Sequence, residues 1–411
     1  MDRNPCHRCF AESGLEGLAS WAGALLIVGF CLASCEPCAG GVPPAADPLG
    51  TIVSAMYNAE YASAEPMLRE WVKEHPEDIR AWNYLAEAIL DEEMLREGLY
   101  SGAAYANSGI AFRKREQPVS AGFKPKLEVI LDQAQKLETG RLKRNPRDEE
   151  AMYWLGVTDS TRTEFEFAIN RSYLAALREG KRAWKLNERL LAMDPHFTDA
   201  YFVIGLGDYA AGVLPWYFRV VASIAGVHGS RSQGIEELKR ASSEGHYTQV
   251  DARIVLVAVY EREKQFPQAL ALLRQLNQEF PWNYLAPLEI ARIDRLQGNW
   301  RQAAEVDDAA VERFVHGKQD PSHAPRAAIL LQAGEAHERL GEFEKALDLY
   351  REAGKQPGPS TAVYRSDLAA ARLDQRLHHL AEAKREYQTV VDGVPDTDLA
   401  DEARRALADL R

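Results

Sequence analysis

The chain has 411 residues, 46% of them hydrophobic and 27% charged, and a formal charge of −12 at pH 7. Those values suit a folded soluble body with enough length for a large core or a long repeat array. The acidic balance argues against general nucleic-acid binding, which needs a basic face to neutralise phosphates.

All five cysteines lie within the first 38 residues: Cys6, Cys9, Cys31, Cys35 and Cys38. Two CxxC pairs result, a spacing seen in zinc ribbons. The segment between them, Ala19 to Ala33, is apolar without one charge. A ribbon needs polar knuckles there, so no metal is expected. Arg3 and Arg8, that apolar run and the small residues after it read as an export signal. The run is too short to span a bilayer comfortably as a permanent helix. Glu12 and Glu16, between the basic residues and the run, are untypical of such signals. Leu32-Ala33-Ser34-Cys35 resembles the lipobox of bacterial lipoproteins. The resemblance implies that residues 1–34 are removed and that Cys35 carries lipid. Residues 35–48 then form a tether, Gly/Pro-rich from Gly40 to Pro48. The expected location is the bacterial cell envelope, periplasmic and lipid-anchored to the outer membrane.

From Asp47 onward, helical segments alternate with short breaks, and hairpin-turn signals between β-branched runs are hard to find. Five prolines each have an alanine twelve residues upstream: Ala64 and Pro76, Ala134 and Pro146, Ala183 and Pro195, Ala269 and Pro281, Ala383 and Pro395. After Pro76 come Trp82, Leu85 and Ala86; after Pro146, Met152, Leu155 and Gly156; after Pro195, Tyr201, Ile204 and Gly205. A repeated helical hairpin explains this order. Small residues let two helices approach, and the proline stops the second before the next begins. The pattern resembles the tetratricopeptide repeat, whose unit of about 34 residues is a pair of helices, A and B. It implies an all-α, right-handed α-solenoid of such hairpins, with an apolar insertion in the middle.

Residues 49–204 read as degenerate units. Arg80 to Leu90 is a clear helix A, SGAAYANSG after it is poor in helix signals, and Thr158 to Arg178 reads as an insertion, because Pro146 and Pro195 lie 49 residues apart. Residues 205–249 hold an apolar insertion and a hairpin around Leu214, Pro215, Trp216, Tyr217 and Phe218. This stretch resembles, over Tyr201 to about Ala304, the eukaryotic tetratricopeptide family of inclusion-body-clearance proteins at the mitochondrial outer membrane; no catalytic motif comes with it. Residues 250–396 hold regular units. Leu256, Val257 and Tyr260 open the first, Ile290, Ala291 and Asp294 the second, Ala333, Gly334 and His337 the third, and Ala370, Ala371 and Asp374 the last. Residues 397–411 read as a capping helix with a charged outer face.

No enzyme is expected. There is no GxSxG elbow, no HExxH and no GxxxxGK[ST], and His378-His379 point about 100° apart on a helix. Gly226 to Gly234 reads as a helix-helix turn with Ser230 or Ser232 as N-cap. No cofactor is called for. Tetratricopeptide arrays bind along the concave face lined by helix A. In the first half its exposed positions include Asn83, Tyr84, Glu87, Tyr153, Trp154, Phe202 and Tyr209. In the second they include Glu261, Glu289, Arg292, Arg295, Gln332, Glu335 and Glu338. An aromatic wall and a charged floor suit a peptide or protein segment, rings giving area and charges giving register. The rings either line an open groove or pack inward against the insertion. The expected function is a non-catalytic scaffold or adaptor of the envelope, similar to tetratricopeptide lipoproteins that help assemble outer-membrane proteins. The alternative is a lipid or small-ligand module built on the apolar residues 210–230.

Overall fold

The computed structural model describes residues 48–99, 118–213, 229–358 and 360–410. Cys35, Leu214, Trp216, Tyr217 and Phe218 lie outside them. Among the described residues there are 17 α-helices, two π-helical turns and no strand. The chain divides between Leu276 and Asn277 into two compact units. Unit 1 contains α1 (Pro48–Tyr57), α2 (Tyr61–Glu74), α3 (Ile79–Arg96), α4 (Phe123–Arg144), α5 (Glu149–Glu164), α6 (Tyr173–Met193), α7 (Ala200–Val213), α8 (Arg231–Glu244), α9 (Gln249–Arg262) and the start of α10 (Phe266–Glu279). Unit 2 contains α11 (Leu285–Leu296), α12 (Trp300–Ala310), α13 (Arg326–Leu340), α14 (Phe343–Gly354), α15 (Thr361–Arg376), α16 (Leu380–Gly393) and α17 (Asp398–Asp409).

Two local devices punctuate these hairpins. The first ends helix B. Four of the prolines follow a residue whose carbonyl accepts from the N–H three residues on: His75 from Asp78, Asn145 from Asp148, Asp194 from Phe197 and Phe280 from Asn283. That is a β-turn with proline at its second position, where the fixed φ suits. Asp78 and Asp148 then cap α3 and α5, accepting from Arg80 N and Ala151 N. The paired alanines are all buried: Ala64, Ala134, Ala183, Ala269 and Ala383.

The second device joins helix A to helix B. At five hairpins one residue has positive φ: Ala59, Lys264, Gly298, Gly341 and His378. The next N–H reaches back five residues, Glu60 to Ala55, Gln265 to Tyr260, Asn299 to Asp294, Glu342 to His337 and His379 to Asp374. The left-handed residue satisfies carbonyls that the helix end would otherwise leave open.

Longer helices absorb the extra residues between Pro146 and Pro195. The π-turn Phe165–Ile169 extends α5, and α6 runs for 21 residues. Gly205 to Val213 continues α7, and Ser230 caps α8 by accepting from Gln233 N. The helices α7 and α8 meet backbone to backbone. A Cβ on Gly205 would lie 2.9 Å from both Gly234 O and Leu238 N. Among the described residues no helix is long and apolar enough to cross a membrane. None of their His, Cys, Asp and Glu side chains form a group of three or more that could hold a metal ion.

Candidate functional site

In unit 1 the positions expected to form an open wall are inside the protein. Tyr84, Tyr153, Trp154, Phe202 and Tyr209 are each at most 3% exposed, as are Asn83 and Glu87. The cause is closure of the helix A face on itself. Tyr57, on α1, donates to Asp251 Oδ1 on α9 at 3.0 Å, across 194 residues of sequence. Asp199 accepts from Tyr247 N and Thr248 N at the start of α9. This holds the Tyr247 ring stacked on Tyr153 at 5.4 Å and edge-on to Trp154 at 5.2 Å. Trp154 also meets Tyr84 edge-on at 5.3 Å. Rings at these spacings attract one another and exclude solvent. Tyr209 donates to Glu263 at 2.9 Å.

Asn83 takes part in a closed ring of hydrogen bonds. Its Nδ2 donates to Glu138 Oε1 at 2.8 Å, and its Oδ1 lies 2.9 Å from Thr158 Oγ1. Thr158 Oγ1 is also 3.1 Å from Glu138 Oε2. A hydroxyl has one proton to give. All three side chains are satisfied only if Thr158 donates to Asn83 and a protonated Glu138 donates to Thr158. Burial pushes Glu138 up to about 7, against the contacts with Asn83 and Thr158, which lower it. Glu87 is in a harsher setting: both oxygens are buried without a hydrogen bond, and burial with the charges of Asp91, Asp251 and Glu164 pushes it far above the carboxylate range. The periodicity that places these residues on one face cannot tell a face open to solvent from one closed on itself.

In unit 2 the corresponding face keeps its charges partly in water. Arg292 pairs with Glu289 on α11. Arg295 donates to Asp307 on α12 at 2.5 Å and to Gln332 on α13 at 2.7 Å. Glu338 accepts from Tyr350 on α14 at 2.9 Å and pairs with Arg376 on α15 at 3.0 Å. Arg372 pairs with Glu402 on α17. Glu335 is exposed between these rows. Basic rows on α11 and α15 thus flank an acidic row on α13, with Arg295, Glu338, Arg372 and Arg376 held by neighbouring helices. Arg292 and Arg295 lie on this face.

Two family models, each described as tetratricopeptide repeat, match residues 50–118 and 284–353. The chain carries tetratricopeptide repeats. Such repeats are generally a non-catalytic interaction fold. A search of curated proteins returns no match. Among solved structures, a chain of the APC/C hetero-tetramer Cut9-Hcn1 is 13% identical at a TM-score of 0.43, covering 88% of this chain and 55% of its own. This chain therefore spans about half the length of that one. Pseudomonas aeruginosa pilF is 15% identical at 0.37, covering 64% of this chain and 100% of its own. Yeast Tom70 is 14% identical at 0.36, covering 88% of each. Likenesses this loose say nothing of what the chain does.

Proposed function

We propose that this scaffold works in the bacterial cell envelope, tethered by lipid on Cys35, and that the helix A face of unit 2 receives a segment of a partner protein. The observation that carries the reading is the set of fixed, partly solvated charges on α11, α13 and α15. Arg295, Gln332 and Glu338 are each held by a neighbouring helix, so their orientation is set before a partner arrives. Preorganised charges give register and specificity at low ordering cost. In unit 1 the expected aromatic positions are buried among the described residues, which supports looking to unit 2 for the binding face. The envelope location rests on the apolar run and Leu32-Ala33-Ser34-Cys35.

The test uses the full chain in cells. A photo-crosslinking residue at Glu335 or Arg372 is expected to give a discrete adduct, and one at Gln388, exposed on α16, is not. Equal labelling from Gln388, or none from the face, rejects the binding site. Cys35→Ala is expected to shift the protein out of the membrane fraction; if it stays, the lipid anchor is wrong.

A further inference from the structure

The interior of unit 1 contains polar atoms that the chain does not pair. Glu87, on α3, is 3% exposed, and Glu164, the last residue of α5, is 6% exposed. Glu87 Oε1 and Oε2 and Glu164 Oε1 are buried without a hydrogen-bond partner. So is Trp154 Nε1 on α5, in a side chain 1% exposed. These groups adjoin. Tyr84 and Glu87 lie three residues apart on one face of α3, and the Trp154 ring meets Tyr84 edge-on at 5.3 Å. Burial, and next the charge of Glu87, push the Tyr84 phenol far above its ordinary value. The charges of Asp91, Asp251 and Glu164 all reach Glu87.

Other carboxyls of the same core are paired by the chain. Glu138 takes Asn83, Asp199 takes Tyr247 N and Thr248 N, and Asp251 takes Tyr57. Glu87 makes no such bond. Protonation alone does not complete it, because a carboxyl O–H still needs an acceptor and the second oxygen a donor. A buried polar group left open carries its full desolvation cost. A partner for Glu87 must therefore donate. It must also be positive, since the charges that act on Glu87 and Glu164 are themselves carboxyls. A metal ion is ill suited: no three His, Cys, Asp or Glu side chains among the described residues could hold one. A primary ammonium has three N–H donors, as many as the open carboxyl oxygens. Aromatic rings attract a cation and pack against its carbon chain.

We propose that unit 1 encloses a small organic cation, a primary ammonium with its charged end on Glu87 beside Glu164 and its carbon chain against Tyr84 and Trp154. The ligand is part of the core. The Tyr57 bond to Asp251 closes the helix A face over it, so it enters as the chain folds or when that face opens. Bound, it ionises Glu87 and stabilises the folded unit by mass action. The inference concerns unit 1 and stands whether or not the charged face of unit 2 receives a partner.

The test uses the full chain, unfolded in urea to clear any guest carried from the cell and refolded with or without a probe. The probe is n-butylammonium chloride. Its controls are 1-pentanol, neutral and of similar length, and sodium chloride at the same ionic strength. Butylammonium at millimolar concentration is expected to raise the melting temperature by several degrees, and native mass spectrometry is expected to show one butylamine per chain. Glu87→Gln keeps the shape and removes the charge, so it should lose both responses. Glu74→Gln, exposed on α2, should keep them. If Glu87→Gln does not fold, Glu164→Gln takes its place and should weaken binding at least several-fold. The ligand is refuted if no probe raises the melting temperature, which leaves the open atoms to water. It is refuted equally if pentanol or sodium matches butylammonium, or if the Glu87 and Glu164 variants respond as the natural chain does.

Discussion

His378 adopts a φ of 63°, at the place where Gly298 and Gly341 have 78° and 79°. Its side chain is exposed, and its neighbour His379, not His378, makes the local contact, Nδ1 to Asp374 Oδ1 at 3.0 Å. The left-handed region costs an L-residue with a side chain about 1–2 kcal/mol that glycine does not pay. Glycine gives some of that back through the greater freedom of its unfolded chain. His378→Gly is therefore expected to stabilise unit 2 by about 0.5–1 kcal/mol, read as a higher urea midpoint at unchanged slope. A lower midpoint would mean that the His378 ring contributes more than its backbone costs. His378 thus occupies the turn, and His379 stands at the N-terminus of α16.

At the scale of the helix pair, the glycines of α7 and α8 decide what can be built. On Gly205 a methyl group would meet backbone atoms of the facing helix at 2.9 Å, whereas on Gly298 it would meet nothing within 4 Å. Gly205→Ala forces two helices apart and is expected to destabilise unit 1 by about 2–3 kcal/mol, as overpacking does. Gly298→Ala carries only the backbone penalty, about 1 kcal/mol. Denaturant unfolding of the two variants separates these causes, and equal losses would count against the close approach of α7 and α8. The contrast also shows what a sequence reading can reach. Hairpin register is legible from Ala64, Pro76 and their counterparts, because buried small residues and turn prolines are local requirements. The charged side chains of unit 2 are legible for the same reason. The burial of Tyr84, Trp154 and Phe202 is not, because it depends on Tyr57 meeting Asp251 far along the chain. Gly205 and Gly234 stand out in sequence only as a departure from the repeat.

For the whole molecule, two sets of carboxyls pull stability in opposite directions with pH. Asp78, Glu93 and Asp148 are below their ordinary values because, against the cost of burial, arginines and N–H groups hold them. Their stabilisation is present above about pH 4 and is lost as pH falls. Glu87, Glu138, Glu164 and Asp208 are raised, with burial the largest cause in each. A raised acid holds its proton more tightly in the folded chain, so its contribution falls as pH climbs from the unfolded value to the folded one. For Glu138 that window runs from 4.5 to about 7. The two sets together place the stability maximum in mildly acidic solution, with a lower melting temperature at pH 8.5 than at pH 5.5. Glu138→Gln supplies the test of cause. Its amide can donate to Thr158 and its carbonyl can accept from Asn83, as the protonated acid does. The variant should match the natural chain at pH 5 and exceed it at pH 8 by an amount on the order of 3 kcal/mol, the cost of ionising a group shifted this far. Melting curves from pH 4.5 to 9 at constant ionic strength measure both. A maximum near pH 8, or a variant that gains nothing there, would mean that Glu138 is not raised in the folded protein and that Asn83 and Thr158 are paired differently.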